Sequence, residues 1–164
     1  MLYLALLPPV ILGGLFDLKK GIIPNYLTFP LILGGLIFNA IAGNFVTSLI
    51  GFFVGFAIGF IAWTLKGMGG GDLKLIAALG AWMGLYPLTV VMLFSSLVGL
   101  LWFVLRSIHQ KKFFNRVYDF LFGLYLFKVV GIKNLFKFEK DNTVPFGTCI
   151  AIGYIIALIQ FIYL

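Results

Sequence analysis

The sequence predicts an all-α integral membrane protein with about six transmembrane helices, both termini outside, and a cytoplasmic interfacial helical segment. Three observations predict it. Apolar residues make up 62% of the chain and charged residues 10%, against about 25% charged in soluble domains, and mean hydropathy is +1.13. The apolar residues gather in stretches that approach the about 20 residues a helix needs to cross a bilayer. All 12 Lys and Arg fall on one side of those stretches, which marks that side as cytoplasmic.

The first stretch runs from about Leu2 to Phe16 and the second from Tyr26 to Ala42. The third runs from Val46 to Leu65, the fourth from Leu73 to Leu85, the fifth from Pro87 to Leu105 and the sixth from Thr143 to Leu164. The first and fourth are short for a span. Each has an aspartate at its charged end, Asp17 and Asp72, and each helix is expected to continue through that aspartate. No positive region or A-x-A-like cleavage site precedes Asp17, so the first helix is expected to be retained. Gly51, Gly55 and Gly59 put small residues on one face of the third helix, where a neighbour's backbone can approach closely. Trp63 and Trp102 fall near cytoplasmic ends, and Trp82 with Tyr86 near an outer end, as in an aromatic belt.

The connections place "DLKKGIIPN", "KGMGGGD" and the basic stretch 106–142 on the cytoplasmic side. "GNFV" and "GLYP" are the outer loops. The 106–142 stretch carries Arg116, Asp119 and Lys128 through an apolar run and suits a helix lying on the membrane surface. Residues 1–164 are therefore expected to form a single membrane domain. The net charge of +7 is read as contact with anionic lipid headgroups, and no nucleic-acid partner is expected, since no basic face with stacking aromatics lies outside the apolar segments. The single cysteine, Cys149, excludes an internal disulfide and a multi-cysteine zinc site.

The chain has five acidic residues, and three of them, Asp119, Glu139 and Asp141, lie in the long basic stretch. Asp17 and Asp72 instead stand at helix ends on one membrane face, where an ionisable group is costly and marks function by default. Gly69, Gly70 and Gly71 precede Asp72. Three glycines in a row are expected to keep the backbone non-helical there and to let another chain lie against it. Asp72 also suits a cap for the helix that follows, and beyond Asp17 the residues Pro24 and Asn25 break the chain and suit a second cap. Two carboxyl groups brought together share a proton, so that one takes a proton from water while the other donates to a carbonyl oxygen. The lone His109 lies in the basic stretch and reads as a surface residue. No cofactor and no metal site is expected.

These residues carry a resemblance. Gly69-Gly70-Gly71-Asp72 reads as the GxGD motif of intramembrane aspartic proteases. The stretch from Asp17 through Ile23-Pro24-Asn25 to Leu27-Thr28 resembles the segment that carries the first catalytic aspartate in type IV prepilin peptidases, and Val144-Pro145-Phe146-Gly147 resembles a segment of the last helix in that family. The resemblance implies a multi-pass cell-membrane endopeptidase with Asp17 and Asp72 as catalytic dyad and its active site at the cytoplasmic face. Gly69, Gly70, Gly71, Lys74, Pro24 and Asn25 become candidate substrate-binding residues. The implied partners, besides the lipid bilayer, are precursors of type IV pilins, pseudopilins or archaellins, which would lose a short basic leader. The cysteine-rich insertion of larger bacterial members is missing, so N-methyltransferase activity is not expected, and the size is similar to the minimal Tad-type or archaeal members.

Two other readings compete. A GxGD protease for other membrane substrates of the presenilin-like kind is expected to carry Tyr before its first aspartate, where this chain has Phe16. A small proton- or cation-coupled transporter needs ionisable groups near mid-membrane or on both faces; here both aspartates lie on one side.

Overall fold

The computed structural model describes residues 2–65, 68–109 and 145–163. The chain divides into two compact units, 1–99 with 145–164, and 100–144. In the second unit the described residues are the end of a helix. The expected interfacial helix, with Arg116, Asp119 and Lys128, lies outside the described residues, as do Lys66 and Val144.

Every regular element among the described residues is a helix, and none is a strand. The helices are α1 (Leu2–Ala5), α2 (Leu7–Lys20), α3 (Asn25–Ile41), α4 (Phe45–Thr64), α5 (Gly70–Met83), α6 (Leu85–His109) and α7 (Phe146–Tyr163). Two helical stretches, Phe45–Thr64 and Leu85–Arg106, are long and apolar enough to cross a membrane, and α3 and Phe146–Ile162 are shorter apolar helices. Large apolar side chains stand exposed along the outer helix faces, among them Leu33, Ile37, Phe53, Leu93, Leu97 and Ile159. A water-facing monomer rarely shows so much apolar surface; a lipid-facing one must.

Two expected boundaries and the setting of one tryptophan change. The first apolar stretch breaks at Leu6, where α1 gives way to α2, and Pro8 and Pro9 stand in the first turn of α2, where proline costs no intrahelical bond. The "GLYP" loop shrinks to one residue: Gly84, at φ 75°, ends α5, and Leu85, Tyr86 and Pro87 already belong to α6. Trp82 is not a free belt residue beside the exposed Tyr86. Its indole N–H donates to the Leu31 carbonyl at 2.7 Å, and its ring stacks on Phe38 at 5.5 Å and lies over Gly34 and Gly35.

In the first unit α5 is the central helix, packed by α3, α4 and α7, while α2 packs on α7. The α4–α5 seam is built on the small residues the sequence singles out. A Cβ on Gly59 would stand 3.0 Å from the Leu73 Cα, and one on Gly55 2.9 Å from the Ile76 carbonyl oxygen. A Cβ on Gly51 would run into the Gly80 carbonyl oxygen, and one on Gly80 into that of Gly51. The two helices are thus antiparallel neighbours in backbone contact, held by close van der Waals packing rather than by large side chains.

The far end of α5 is closed by its neighbours. The last carbonyls of a helix lack intrahelical donors. Gly84 N–H takes the Gly80 carbonyl at 2.9 Å. The Asn39 side-chain amide of α3 donates to the Ala81 carbonyl at 3.0 Å and the Trp82 carbonyl at 3.2 Å, and the Ser48 hydroxyl of α4 donates to the Ala81 carbonyl at 2.5 Å. Two polar side chains, both buried, therefore cap a helix that is not their own.

Candidate active site

The other end of α5 meets the ends of two more helices, and there both aspartates lie. α2 does continue through Asp17: it runs to Lys20 and stops at Gly21, whose φ of 63° suits glycine and whose N–H takes the Asp17 carbonyl at 2.8 Å. The chain then turns through Ile23 and the extended Pro24 into α3. α5 contains Asp72 in its first turn. The side chains of Asp17 and Asp72 are 8% and 5% exposed, so two carboxyl groups are buried at one end of the first unit.

Their separation is bounded by a third residue. A Cβ built on Gly147, in the first turn of α7, would lie 2.9 Å from the Asp17 Cβ and 2.9 Å from the Asp72 Oδ1. Those two atoms are therefore no further apart than twice that distance. The Thr148 N–H donates to Asp17 Oδ2 at 3.3 Å, and the Thr148 hydroxyl donates to the Gly14 carbonyl of α2 at 3.0 Å. On the other carboxyl group, Oδ2 of Asp72 accepts the Gly69 N–H at 3.1 Å. Its Oδ1 is buried and has no hydrogen-bond partner among the described residues.

The glycine run behaves differently from the expectation. Gly70 and Gly71 are not a non-helical loop but the first two residues of α5; only Gly69 is extended, at φ −76° and ψ 154°. The helix starts this early because Asp72 stands in its third position. There a carboxylate accepts the N–H of the residue before the helix and faces the positive helix end. This reverses the expected cap, in which Asp72 would precede its helix. Gly71 is small for another reason: a Cβ there would stand 2.8 Å from the Ile23 Cβ and 2.9 Å from the Ile23 nitrogen. The connection that follows Asp17 thus lies against the helix that carries Asp72.

The remaining candidates fall near the two aspartates. Asn25 is not a cap but the first residue of α3, preceded by Pro24, and its Oδ1 accepts the Lys74 ammonium at 2.6 Å. Lys74 also lies over the Phe29 ring at 5.3 Å. Lys74 and Asn25 therefore tie the start of α3 to the start of α5, while Pro24 is the extended residue that leads into α3. His109 is exposed at the end of α6, as expected of a surface residue. Sequence reading misses the duties of Gly147, Thr148 and Ile23. The available signal is Pro145-Phe146-Gly147 at the entry of an apolar helix, where a proline fixes the start and a glycine admits a neighbour.

Residues 4–104, more than half of the chain, match the type IV leader peptidase family. The chain belongs to that family. Both aspartates fall inside the matched residues, whereas Gly147 and Thr148 lie beyond them. The prepilin leader peptidase/N-methyltransferase of Aeromonas hydrophila is 44% identical over 110 residues, which cover 58% of this chain and 38% of that relative. The protein of the same name from Neisseria gonorrhoeae is 37% identical over 60% of this chain and 37% of its own length. The one from Escherichia coli strain K12 is 30% identical over 66% of this chain and 58% of its own length. The chain thus spans less than two thirds of these type IV leader peptidase relatives. No solved structure matches it significantly.

Proposed function

We propose that this protein is a membrane aspartic endopeptidase that removes the short basic leader from type IV prepilin-like precursors at the cytoplasmic membrane face. The observation that carries the reading is the approach of Asp17 and Asp72 to one point on Gly147, in a chain of the type IV leader peptidase family. Water supplies the nucleophile. The ionised carboxylate takes a proton from it as the oxygen attacks the scissile carbonyl carbon, and the protonated carboxyl donates to the carbonyl oxygen. Collapse of the tetrahedral intermediate breaks the C–N bond, and the amine leaves with a proton from the dyad.

Burial favours this chemistry, because hydrogen bonds and charges act more strongly where water is scarce. The Thr148 N–H supports the Asp17 carboxylate, and the unpartnered Oδ1 of Asp72 is available to a water or a carbonyl. N-methylation, part of the name of the longer relatives, is not part of the proposal.

The test is cleavage of a prepilin in membranes, with products weighed by mass spectrometry. Wild type should release the leader and leave an unmethylated N-terminus, while Asp17→Asn and Asp72→Asn insert and stay inert. Asparagine can still accept the Gly69 and Thr148 amides, so neither variant should unfold. Cleavage by both variants at the wild-type rate would end the dyad reading.

A further inference from the structure

We propose that Gly147 and Thr148, in the first turn of α7, are positioning residues that set the spacing between Asp17 and Asp72. This rests on the dyad reading above and deepens it.

Gly147 is not among the residues of positive φ, so its backbone would accept alanine; what it lacks is room. A methyl group there would meet the Asp17 Cβ and the Asp72 Oδ1 at 2.9 Å and the Ile23 Cδ1 at 3.0 Å. The three contacts differ in how they can yield. The Ile23 methyl and the Asp72 carboxyl can rotate away. The Asp17 Cβ is fixed by the backbone of α2, so it yields only if a helix moves. A side chain at 147 therefore turns Asp72 away from Asp17 or drives α7 off α2, and both separate the carboxyl groups.

Thr148 fixes α7 in the complementary sense. Its hydroxyl donates to the Gly14 carbonyl, and its N–H to Asp17 Oδ2 three residues further along α2. Gly14 admits this approach, since a Cβ there would lie 2.8 Å from the Ala151 Cβ. One residue thus binds the helix that carries Asp17 and the Asp17 carboxyl together, while its neighbour leaves the gap into which the buried, unpartnered Asp72 Oδ1 points.

The experiment measures prepilin cleavage, with kcat, KM and pH profile, for full-length wild type, Asp17→Asn, Asp72→Asn, Gly147→Ala, Thr148→Val and Thr148→Ser. Gly35→Ala is the packing control, since a Cβ there meets Trp82 at 2.7 Å on the α3–α5 contact. Thermal unfolding is recorded for each. Gly147→Ala should lower kcat by about 100-fold, the scale of an about 1 Å misplacement, with KM within about twofold. The limbs of its pH profile should move, because carboxyl spacing sets how strongly one proton affects the other. Gly35→Ala should lower Tm and leave the profile in place. Thr148→Val should lose activity and Thr148→Ser recover it, the reverse of what a packing role predicts for an isosteric valine. If Gly147→Ala fails to fold, the Thr148 pair decides. Wild-type kcat and profile in Gly147→Ala, or a Thr148→Val as active as Thr148→Ser, would overturn the proposal while the inert asparagine variants keep the dyad. Active asparagine variants would remove the dyad reading itself.

Discussion

Gly70 and Gly71 are neighbours in the first turn of α5, yet an added methyl group meets different surroundings at each. At Gly70 the nearest atom is the Trp63 indole nitrogen at 3.7 Å, an ordinary contact; at Gly71 it is the body of Ile23 at 2.8 Å. Gly70→Ala should therefore change stability by no more than about 0.5 kcal/mol, and Gly71→Ala should cost about 1–3 kcal/mol through overpacking. Thermal unfolding of the two variants in detergent measures the difference. It gives the middle position of GxGD its freedom and the third its constraint. The proposed dyad makes a prediction at the same scale. Activity should follow a bell-shaped pH profile: too low a pH protonates both carboxyl groups and removes the base, and too high a pH ionises both and removes the acid. A rate of leader cleavage that stays flat across both limbs would count against a shared proton.

Among the elements, α5 is closed at both ends by side-chain hydrogen bonds, from its own first turn at the start and from neighbouring helices at the finish. Asp72 closes the start through Gly69, and Asn39 with Ser48 closes the finish. Asn39→Leu keeps the bulk but leaves the Trp82 carbonyl without its side-chain donor, and it should cost about 1 kcal/mol, the scale of an interhelical hydrogen bond in a membrane protein. Gly51→Val should cost more, about 3 kcal/mol, because its side chain strikes the Gly80 backbone, which cannot rotate aside. Chemical unfolding of both variants, read by tryptophan fluorescence, ranks them.

These elements also mark how far sequence reasoning reaches. The continuation of α2 and α5 through their aspartates was legible, because short apolar runs with a terminal carboxylate leave few alternatives. The Gly51, Gly55 and Gly59 seam was legible from its period. The helical state of Gly70 and Gly71 was not: intrinsic propensity argues against it, and the Asp72 carboxylate in the first turn prevails. The Asn39 cap and the Thr148 bond were hidden because each joins residues far apart in the chain, 42 and 131 positions, and neither Asn39 nor Thr148 carries a local pattern. Asp17 and Asp72 stood out as ionisable groups in apolar surroundings, whereas what marks Gly147 is the side chain it lacks.

At the scale of the whole molecule, the proposed arrangement puts the Asp17 end of α2, the Asp72 end of α5 and the Thr148 end of α7 at the cytoplasmic face, with the α3–α4 turn outside. Two exposed positions test it, Lys19 and Asn44. In a Cys149→Ala background, Asn44→Cys should react with a membrane-impermeant maleimide on intact cells, and Lys19→Cys only after the membrane is opened. Equal labelling of both before permeabilisation would contradict the arrangement. Cys149 is buried, so its removal clears the assay of the native thiol.

The α4–α5 register also fixes how far along α4 Asp72 sits. Gly59 of α4 lies beside Leu73 of α5, so Asp72 is level with about Phe60, and α4 continues to Thr64. At about 1.5 Å per residue, Asp72 lies about 6 Å short of the end of its neighbour. On the proposed topology the carboxyl groups occupy a sunken ledge with the last turn of α4 as its rim. A peptide bond reaching that ledge must descend past the rim, and in an intact helix the backbone carbonyls are tied into the helix's own hydrogen bonds. A single unwound strand leaves them free, so the cost of unravelling the precursor at its scissile bond falls on the substrate, and sequences that unravel easily there should be cut first.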